Sequence, residues 1–451
     1  MSISSLRLLS NVIAQAVDTF EGAYARAGVE FPLLDEAYDP ADPSEVLRSD
    51  PAVEAASMNL VAAAAQITAV ARQPVVTALV SGHAFQNLVG LHAKEIAAPS
   101  RADPGLIARI LRLLASHHIF LEVSPDVFAN NKISSTLDKG KPSAVLFEKP
   151  EDRLNGTTGS AALLEFLGDE CFKSASQLGD ALLDPEGEQN PMTRAFQLKE
   201  PMFNWFTRPE NRSRSNRFDL AMHGTAASEP IELIHKGYDW SQWAAGSVVV
   251  DVGGGLGTTS MEVARKYPGL KIVNQDLAPT IENAKAHWMQ HFPAHVEKKM
   301  VELQVHDFFQ PQPVKNADIF MLRHVIHDWS DEKAIVILRH LRDAAKPTTQ
   351  IVVVENVVPL ASPAGASQDS SVSHIPGAVV PQSPPAPLLS NRGVAMAMLY
   401  YYDITIHNLI GGSNRTLQAL IKVFKKSGWE LVRIHRCPGP EGKCHIVGVP
   451  I

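Results

Sequence analysis

The sequence predicts an α/β protein in two parts: a mainly helical region over residues 1–235 and a Rossmann-like, doubly wound domain over 236–451. Three observations predict it. Apolar residues recur at three- and four-residue spacing through the first half, continuous apolar runs alternate with amphipathic helices from about 247, and the first of those runs ends in a four-glycine turn that opens a helix. At 451 residues the chain exceeds one ordinary domain, and each part is long enough to bury a core. Its 45% hydrophobic and 20% charged residues are those of a globular protein.

The start, "MSISSLRLLSNVIAQAVDTF", has helical spacing but is cut by Asn11, Gln15 and Asp18, so it lacks the apolar centre of a signal peptide. "LVAAAAQITAVARQPVVTALV" reads as a second helix. The alanine-rich stretch 55–80 is broken by Asn59, Gln66, Arg72 and Gln73, which argues against a membrane span. "PGLIARILRLLASHHIF" gives a helix after Pro104, followed in "IFLEVSPDVFANN" by two short strand-like runs around Ser124, Pro125 and Asp126, a winged-helix outline. That helix has only Arg109 and Arg112 as permanent cations, and the net charge is -7, so no nucleic-acid partner is expected. Cys171, Cys437 and Cys444 are an odd number without CxxC spacing, which indicates neither a disulfide framework nor a zinc site and leads to an expectation of a cytoplasmic protein.

In the second part "SVVVDV", "LKIVNQDL", "ADIFML" and "QIVVVENVV" are continuous apolar strands of the kind a parallel sheet buries on both faces. Residues 360–391, "ASPAGASQDSSVSHIPGAVVPQSPPAPLLS" with its flanks, are rich in Pro, Ser, Ala and Gly and have no periodicity. A long mobile loop inserted in the α/β domain is expected there.

"VVVDVGGGLGTTSMEVARKYP" is a strand, a glycine turn and a helix. Gly253, Gly255 and Gly257 allow a sharp bend and close approach of a ligand to main chain. The dinucleotide fingerprint needs a further glycine three residues on, but the positions three after Gly255 and Gly257 are Thr258 and Ser260, which disfavours a nicotinamide cofactor. Asp276 ends the next strand, where a carboxylate can accept both hydroxyls of a ribose. An adenosine ligand without a pyrophosphate fits.

"VVDVGGGLG", "NQDL", "VHDFF" and "LRHVIHDWSDE", in this order and at these separations, resemble the S-adenosylmethionine-dependent O-methyltransferases of the plant caffeate type and their fungal relatives acting on phenolic metabolites. The resemblance covers essentially the whole chain and is strongest from about 200 to 358. It implies a methyltransferase domain preceded by a winged-helix-like dimerisation domain, a homodimer, S-adenosylmethionine as the cofactor with no metal, and a small aromatic hydroxyl acceptor. Carried onto this sequence, it makes Gly253 part of the cofactor loop, Asp276 the ribose ligand, and Asp307 with Phe308 the adenine contacts; Gly255 belongs to the same loop. Arg323 stands where plant members commonly have lysine near the cofactor.

A phenol must lose its proton to become a good nucleophile. Transfer from a phenol of pKa about 10 to a histidine of about 6.5 is uphill by roughly 3.5 pH units, or about 5 kcal/mol. A carboxylate behind the ring and the positive sulfonium beside the phenol both narrow that gap. The resemblance makes His327, directly before Asp-Trp, the base. Glu355 in "VVVENVV" matches the family's first supporting carboxylate. The second lies in a "GGKERT"-like segment that here reads "GGSNRT", so Asn414 stands where a carboxylate is expected. An amide can orient the ring but not stabilise an imidazolium by charge.

Ser330 is a candidate N-cap for the helix "DEKAIVILRHLRDAAKP", which leaves His327 in the loop at the C-terminal edge of the sheet, where doubly wound folds bind ligands. His324 has no matching family role and is read as a packed or partly exposed polar residue. A two-histidine metal site would need more ligands, with Asp328 the only obvious one, so no metal is expected. His287, His291 and His295 are four apart, but Pro293 interrupts them and they are read as a solvated face. For the acceptor pocket, "RFDLAM" matches the family segment with Phe218 and Met222 four apart on one helical face. Asp328, Met398 and Asn408 are further candidates, with Asp403 and His407 on the same helix.

Overall fold

The computed structural model describes residues 4–32, 42–72, 91–131, 133–184, 187, 189–228, 232–362, 372, 374–378, 388–437 and 443–451. The chain divides into two compact units, Met1–Glu165 and Phe166–Ile451. This boundary lies ahead of the change in sequence pattern near 235 because Phe166, Met192, Met202 and Phe206 share a core with Leu409, far along in the second unit.

In the first unit α1 (Ser5–Ala27) starts at a Ser4 cap and ends at Gly28 in the left-handed conformation. It packs along α2 (Pro51–Ala71), which begins with Pro51 and the Asp50 side chain accepting from two backbone amides. By length and composition α2 is the one described helix long and apolar enough to cross a membrane, its apolar character coming largely from alanines. Residues 73–80 of the predicted second helix lie outside the described residues. A two-residue strand β1 (Leu91–His92) precedes α3 (Pro104–Ser116) and the hairpin β2 (Phe120–Ser124) and β3 (Val127–Asn130), and the sheet order is β1-β3-β2. Leu111, Leu114, Ile119, Phe120 and Phe128 are the core that joins helix to hairpin.

The second unit carries a seven-stranded sheet of order β6-β5-β4-β7-β8-β10-β9. Its strands are β4 (Val248–Val252), β5 (Lys271–Asp276), β6 (Val301–Val305), β7 (Ile319–Arg323), β8 (Gln350–Asn356), β9 (Trp429–Arg436) and β10 (Lys443–Pro450). β4 to β8 are parallel, and β10 runs antiparallel between β8 and β9. Side-chain alternation splits the core: Val250, Phe320, Leu322 and Val353 join one cluster, while Val249, Ile319, Met321 and Val352 join the other. Burying a side chain such as Phe320 contributes roughly 2–3 kcal/mol. With both faces covered, the ligand-accessible part of such a sheet is the C-terminal edge of its parallel strands, at the point beside β4 where strand order reverses.

The longer described helices of this unit are α4 (Arg212–Ser228), α5 (Thr258–Lys266), α6 (Ala278–His291), α7 (Asp331–Ala344), α8 (Ala397–Ile410) and α9 (Leu417–Lys426). Ser330 caps α7 as predicted, its hydroxyl accepting from Lys333 N. α6 ends at His291 before Pro293, but His295 is buried and stacked on Phe292 at 4.6 Å, so it is not part of a solvated face.

The 360–391 insertion differs from the mobile loop expected. Val372, Ile375 and Ala378 are buried in the main core. Ile434 N donates to Pro376 O at 2.9 Å, and Arg436 donates to the carbonyls of Gly377 and Ala378. The segment thus covers part of β9, the edge strand, and apolar residues spaced three apart give it a buried face. At its base Ser390 Oγ donates to Ala361 O at 2.6 Å. Residues 363–371, 373 and 379–387 of the insertion lie outside the described residues.

Candidate active site

The glycine turn leaves β4 with Gly253, Gly255 and Gly257 all at positive φ, 67°, 59° and 77°. A Cβ on Gly253 would press against Val325 Cγ2 at 3.1 Å and Phe308 Cε1 at 3.5 Å, so the Phe308 ring lies directly over the turn. Asp276, at the end of β5, receives Gly255 N on Oδ2 at 2.9 Å and Leu277 N on Oδ1 at 2.8 Å. These amides fix the carboxylate while it stays partly exposed, with lone pairs left for hydroxyl donors. Asp307 Oδ1 accepts Phe309 N at 3.0 Å, which holds the turn that presents Phe308. Arg323 closes this end by donating to Thr259 Oγ1 at 3.2 Å. Thus Gly253, Gly255, Asp276, Asp307, Phe308 and Arg323 gather at the C-terminal edge of the parallel strands.

His327 sits in a short 3₁₀ turn, Ile326–Asp328, just beyond β7. Its ring is buried between two carboxylates: Nδ1 is 3.1 Å from Glu355 Oε2 and Nε2 is 3.3 Å from Asp328 Oδ1. Glu355 comes from β8, and its Oε1 accepts the backbone amides of Val325 and Ile326 at 3.0 Å and His327 at 3.4 Å. Burial alone would lower the basicity of His327, but the Glu355 charge outweighs it, helped by Asp328 and the Asn414 amide, and the ring is held well above the ordinary imidazole range. Glu355 is correspondingly lowered: burial opposes its ionisation, and the His327 charge and hydrogen bond overcome that. Burial pushes Asp328 up to about 6.

His324 is closer to this centre than a background role implies. Its Nδ1 is 3.9 Å from Glu355 Oε2, and its backbone is held at φ 55°. His324, His327 and Glu355 offer donor atoms within 4.8 Å of one another, a spacing that a metal ion could span. A tetrahedral ion with bonds of about 2.1 Å keeps its donors roughly 3.4 Å apart. Here His327 and Glu355 are closer, at 3.1 Å, and His324 and Glu355 wider, at 3.9 Å, and the closer pair carries opposite charges when His327 is protonated.

Asn414 is buried, with neither Oδ1 nor Nδ2 of its side chain hydrogen-bonded. Its turn lies flat on the histidine loop: Ser413 N donates to His327 O at 2.8 Å, and a Cβ on Gly412 would overlap that same carbonyl. Among the pocket candidates, Asn408 is buried on α8 with its Oδ1 without a hydrogen-bond partner. Phe218 joins an aromatic group, 5.3 Å from Phe166, 5.5 Å from Phe206 and 6.0 Å from Phe203, that packs with Leu409 and Ile410 of α8. The same helix puts Tyr402 6.0 Å from the His327 ring, so α8 links Phe218 to the base. Met222 and Met398 are half-buried on α4 and on the first turn of α8.

Residues 176–375 match the O-methyltransferase domain family. An O-methyltransferase of Armillaria gallica is 37% identical over 99% of this chain and 100% of its own length. The 4-O-methyltransferase 1 of Phanerochaete chrysosporium is 35% identical over 96% of each chain. The chain belongs to the O-methyltransferase family. Its fold is also that of OxaC, solved in complex with sinefungin and meleagrin, at a TM-score of 0.59 and 20% identity over 98% of this chain and 99% of that one.

Two residues of this O-methyltransferase matter to the site and were not read from the sequence. Arg415, 4% exposed, straps the histidine loop from within: it donates to Ile326 O at 2.7 Å and Trp329 O at 2.6 Å and pairs with Asp331 at 2.7 Å. Its signal was the Arg of "GGSNRT". Asp251, buried under the glycine turn and pushed up to about 7 by burial, sits among Ser260, Arg323 and Asp276. Its signal was the single Asp in the otherwise apolar run "VVVDV".

Proposed function

We propose that the protein transfers the methyl group of S-adenosylmethionine to a hydroxyl of a small aromatic acceptor, with His327 as the general base. The observation that carries this is the buried His327 held 3.1 Å from the buried Glu355 carboxylate, at the same sheet edge as the glycine turn and Asp276. Gly253, Gly255, Asp276, Asp307, Phe308 and Arg323 would hold the cofactor. Bound there, it supplies a methyl group on a cationic sulfur with a neutral thioether as leaving group.

The acceptor hydroxyl gives its proton to His327 Nε2, and its oxygen becomes the nucleophile. Glu355 stabilises the imidazolium so formed, and the raised basicity of His327 narrows the roughly 3.5-unit gap to an ordinary phenol. Phe218, Met222, Met398, Asn408 and Asp328 line the acceptor side, where aromatic contacts suit a flat ring. The sinefungin bound to OxaC, an analogue of S-adenosylmethionine, and the 4-O-methyltransferase activity in the name of the Phanerochaete relative agree with this reading. Incubation with labelled S-adenosylmethionine and a panel of phenols tests it: label in an acceptor supports transfer, and cofactor binding with no transfer to any phenol favours a silent relative.

A DNA-binding role is disfavoured because Arg112 is committed to Glu122 and Asp126 at 2.6 and 2.8 Å. We further propose a homodimer formed through the first unit, where Leu8 and Val12 of α1 and Met58, Val61 and Val70 of α2 leave apolar surface exposed. Light scattering on eluted protein would return one chain's mass if this is wrong. We also propose a cytoplasmic location, since Cys171, Cys437 and Cys444 are all buried and none is in a disulfide.

A further inference from the structure

Asn414 leaves a chemical gap. The ring it faces carries a positive charge after proton transfer, and an amide offers only a dipole where the family motif has a carboxylate. The turn that bears Asn414 nevertheless brings an anion with it. Two consecutive amides of that turn point at two different groups: Ser413 N donates to His327 O at 2.8 Å, and Asn414 N donates to Asp403 Oδ1 at 2.6 Å. Asp403 comes from α8, one residue after the Tyr402 that lies 6.0 Å from the His327 ring. Adjacent amides bonded to both groups keep the Asp403 carboxylate within a few ångströms of the histidine turn.

We propose that Asp403 is a positioning residue that adds a further negative charge around His327, beyond Glu355 and Asp328 at the ring itself, held by the turn where Asn414 replaces the family carboxylate. The proposal rests on the reading of His327 as the base. Two functions are divided between two residues: the Asn414 side chain faces the ring, and Asp403, fixed by the Asn414 amide, provides the further charge. Burial raises the Asp403 carboxyl, opposed by the Asn414 amide and by the charges of His407, Arg415 and His327. The other charged or titratable groups around the base are Glu355 and Asp328, which favour its protonation, and His324 and Arg415, which oppose it when positive. Arg415 lies behind the loop on the carbonyls of Ile326 and Trp329, so Asp403 also offsets a fixed cation there.

The test is the pH dependence of kcat/KM for a phenol in four proteins: wild type, Asp403→Asn, Asp403→Glu and Asp403→Asn with Asn414→Glu. Asparagine keeps an oxygen for the Asn414 amide and removes only the charge. Asp403→Asn should move the ascending limb to lower pH by roughly 0.5–1 unit and lower the plateau on the order of threefold. Asp403→Glu should hold the limb near its original position, and adding Glu at 414 should return it. A purely structural role would change yield and thermal stability but leave the limb where it is. An unmoved limb in Asp403→Asn, or no return with Asn414→Glu, overturns the proposal. If Asp403→Asn does not fold, Asn414→Glu alone decides: a carboxylate added beside Asp403 moves the limb upward, and an unchanged limb counts against charge control from this turn. Loss of turnover in His327→Gln, measured alongside, separates failure of this inference from failure of the base itself.

Discussion

The proposed cofactor end and the proposed base end of the site lie on neighbouring strands but are built differently. At the cofactor end the main chain does most of the work: three glycines hold positive φ, and Asp276 is oriented by two backbone amides. At the base end the working groups are side chains from separate elements. The histidine and Asp328 come from the β7 turn, a second carboxylate from β8, and Asn414, whose amide is held by Asp403 of α8, from the turn after that helix. A site of the first kind is set by local backbone geometry. One of the second kind depends on long-range packing, and its chemistry follows the charges that packing brings together.

Substitutions should therefore separate the two ends by what they change. The largest effect is expected from His327→Gln, which should cut kcat on the order of a thousandfold while cofactor affinity by calorimetry stays within about twofold. Equal losses in both would mean that the two ends are not independent. Glu355→Gln comes next. It keeps an oxygen for the three loop amides and removes the charge, so kcat should fall roughly a hundredfold.

The pH profile sharpens this. His327 must be neutral to accept a proton, and its raised pKa places the ascending limb of kcat/KM above the ordinary imidazole range, with a slope of one below the raised pKa and a plateau above it. Removing the Glu355 charge lowers that pKa, so the limb should move to lower pH in Glu355→Gln; movement upward would contradict the assignment. At the other end, Asp276→Ala should weaken cofactor binding roughly tenfold to thirtyfold with kcat at saturation nearly unchanged. The smallest effect is expected from Phe218→Ala, a rise of several-fold in acceptor KM with no shift in the pH limb, because that ring touches neither the cofactor loop nor the base.

How much of this could be read beforehand follows the same division. The strands β4, β5, β7 and β8 are continuous apolar runs because both faces are buried, and they were legible. β6 and β9 lie at the two edges of the sheet and alternate in burial, so they lacked that signal; β10, buried along most of its length, is the antiparallel strand between β8 and β9. Within the insertion, the short apolar spacing of Val372, Ile375 and Ala378 gained meaning only from the edge strand it covers. His324 shows the limit most clearly: its separation from His327 in sequence gave no indication that both imidazoles approach one carboxylate oxygen.

The sequence by itself determined the α/β domain, the glycine turn, and His327 with Glu355 as a pair, since each depends on local pattern or on a motif with fixed spacing. The tertiary structure alone decided which charges surround the base. Electrostatic interaction depends on distance and burial, and neither the approach of Asp403 to the Asn414 turn nor the Arg415 strap behind the loop has a counterpart in sequence spacing.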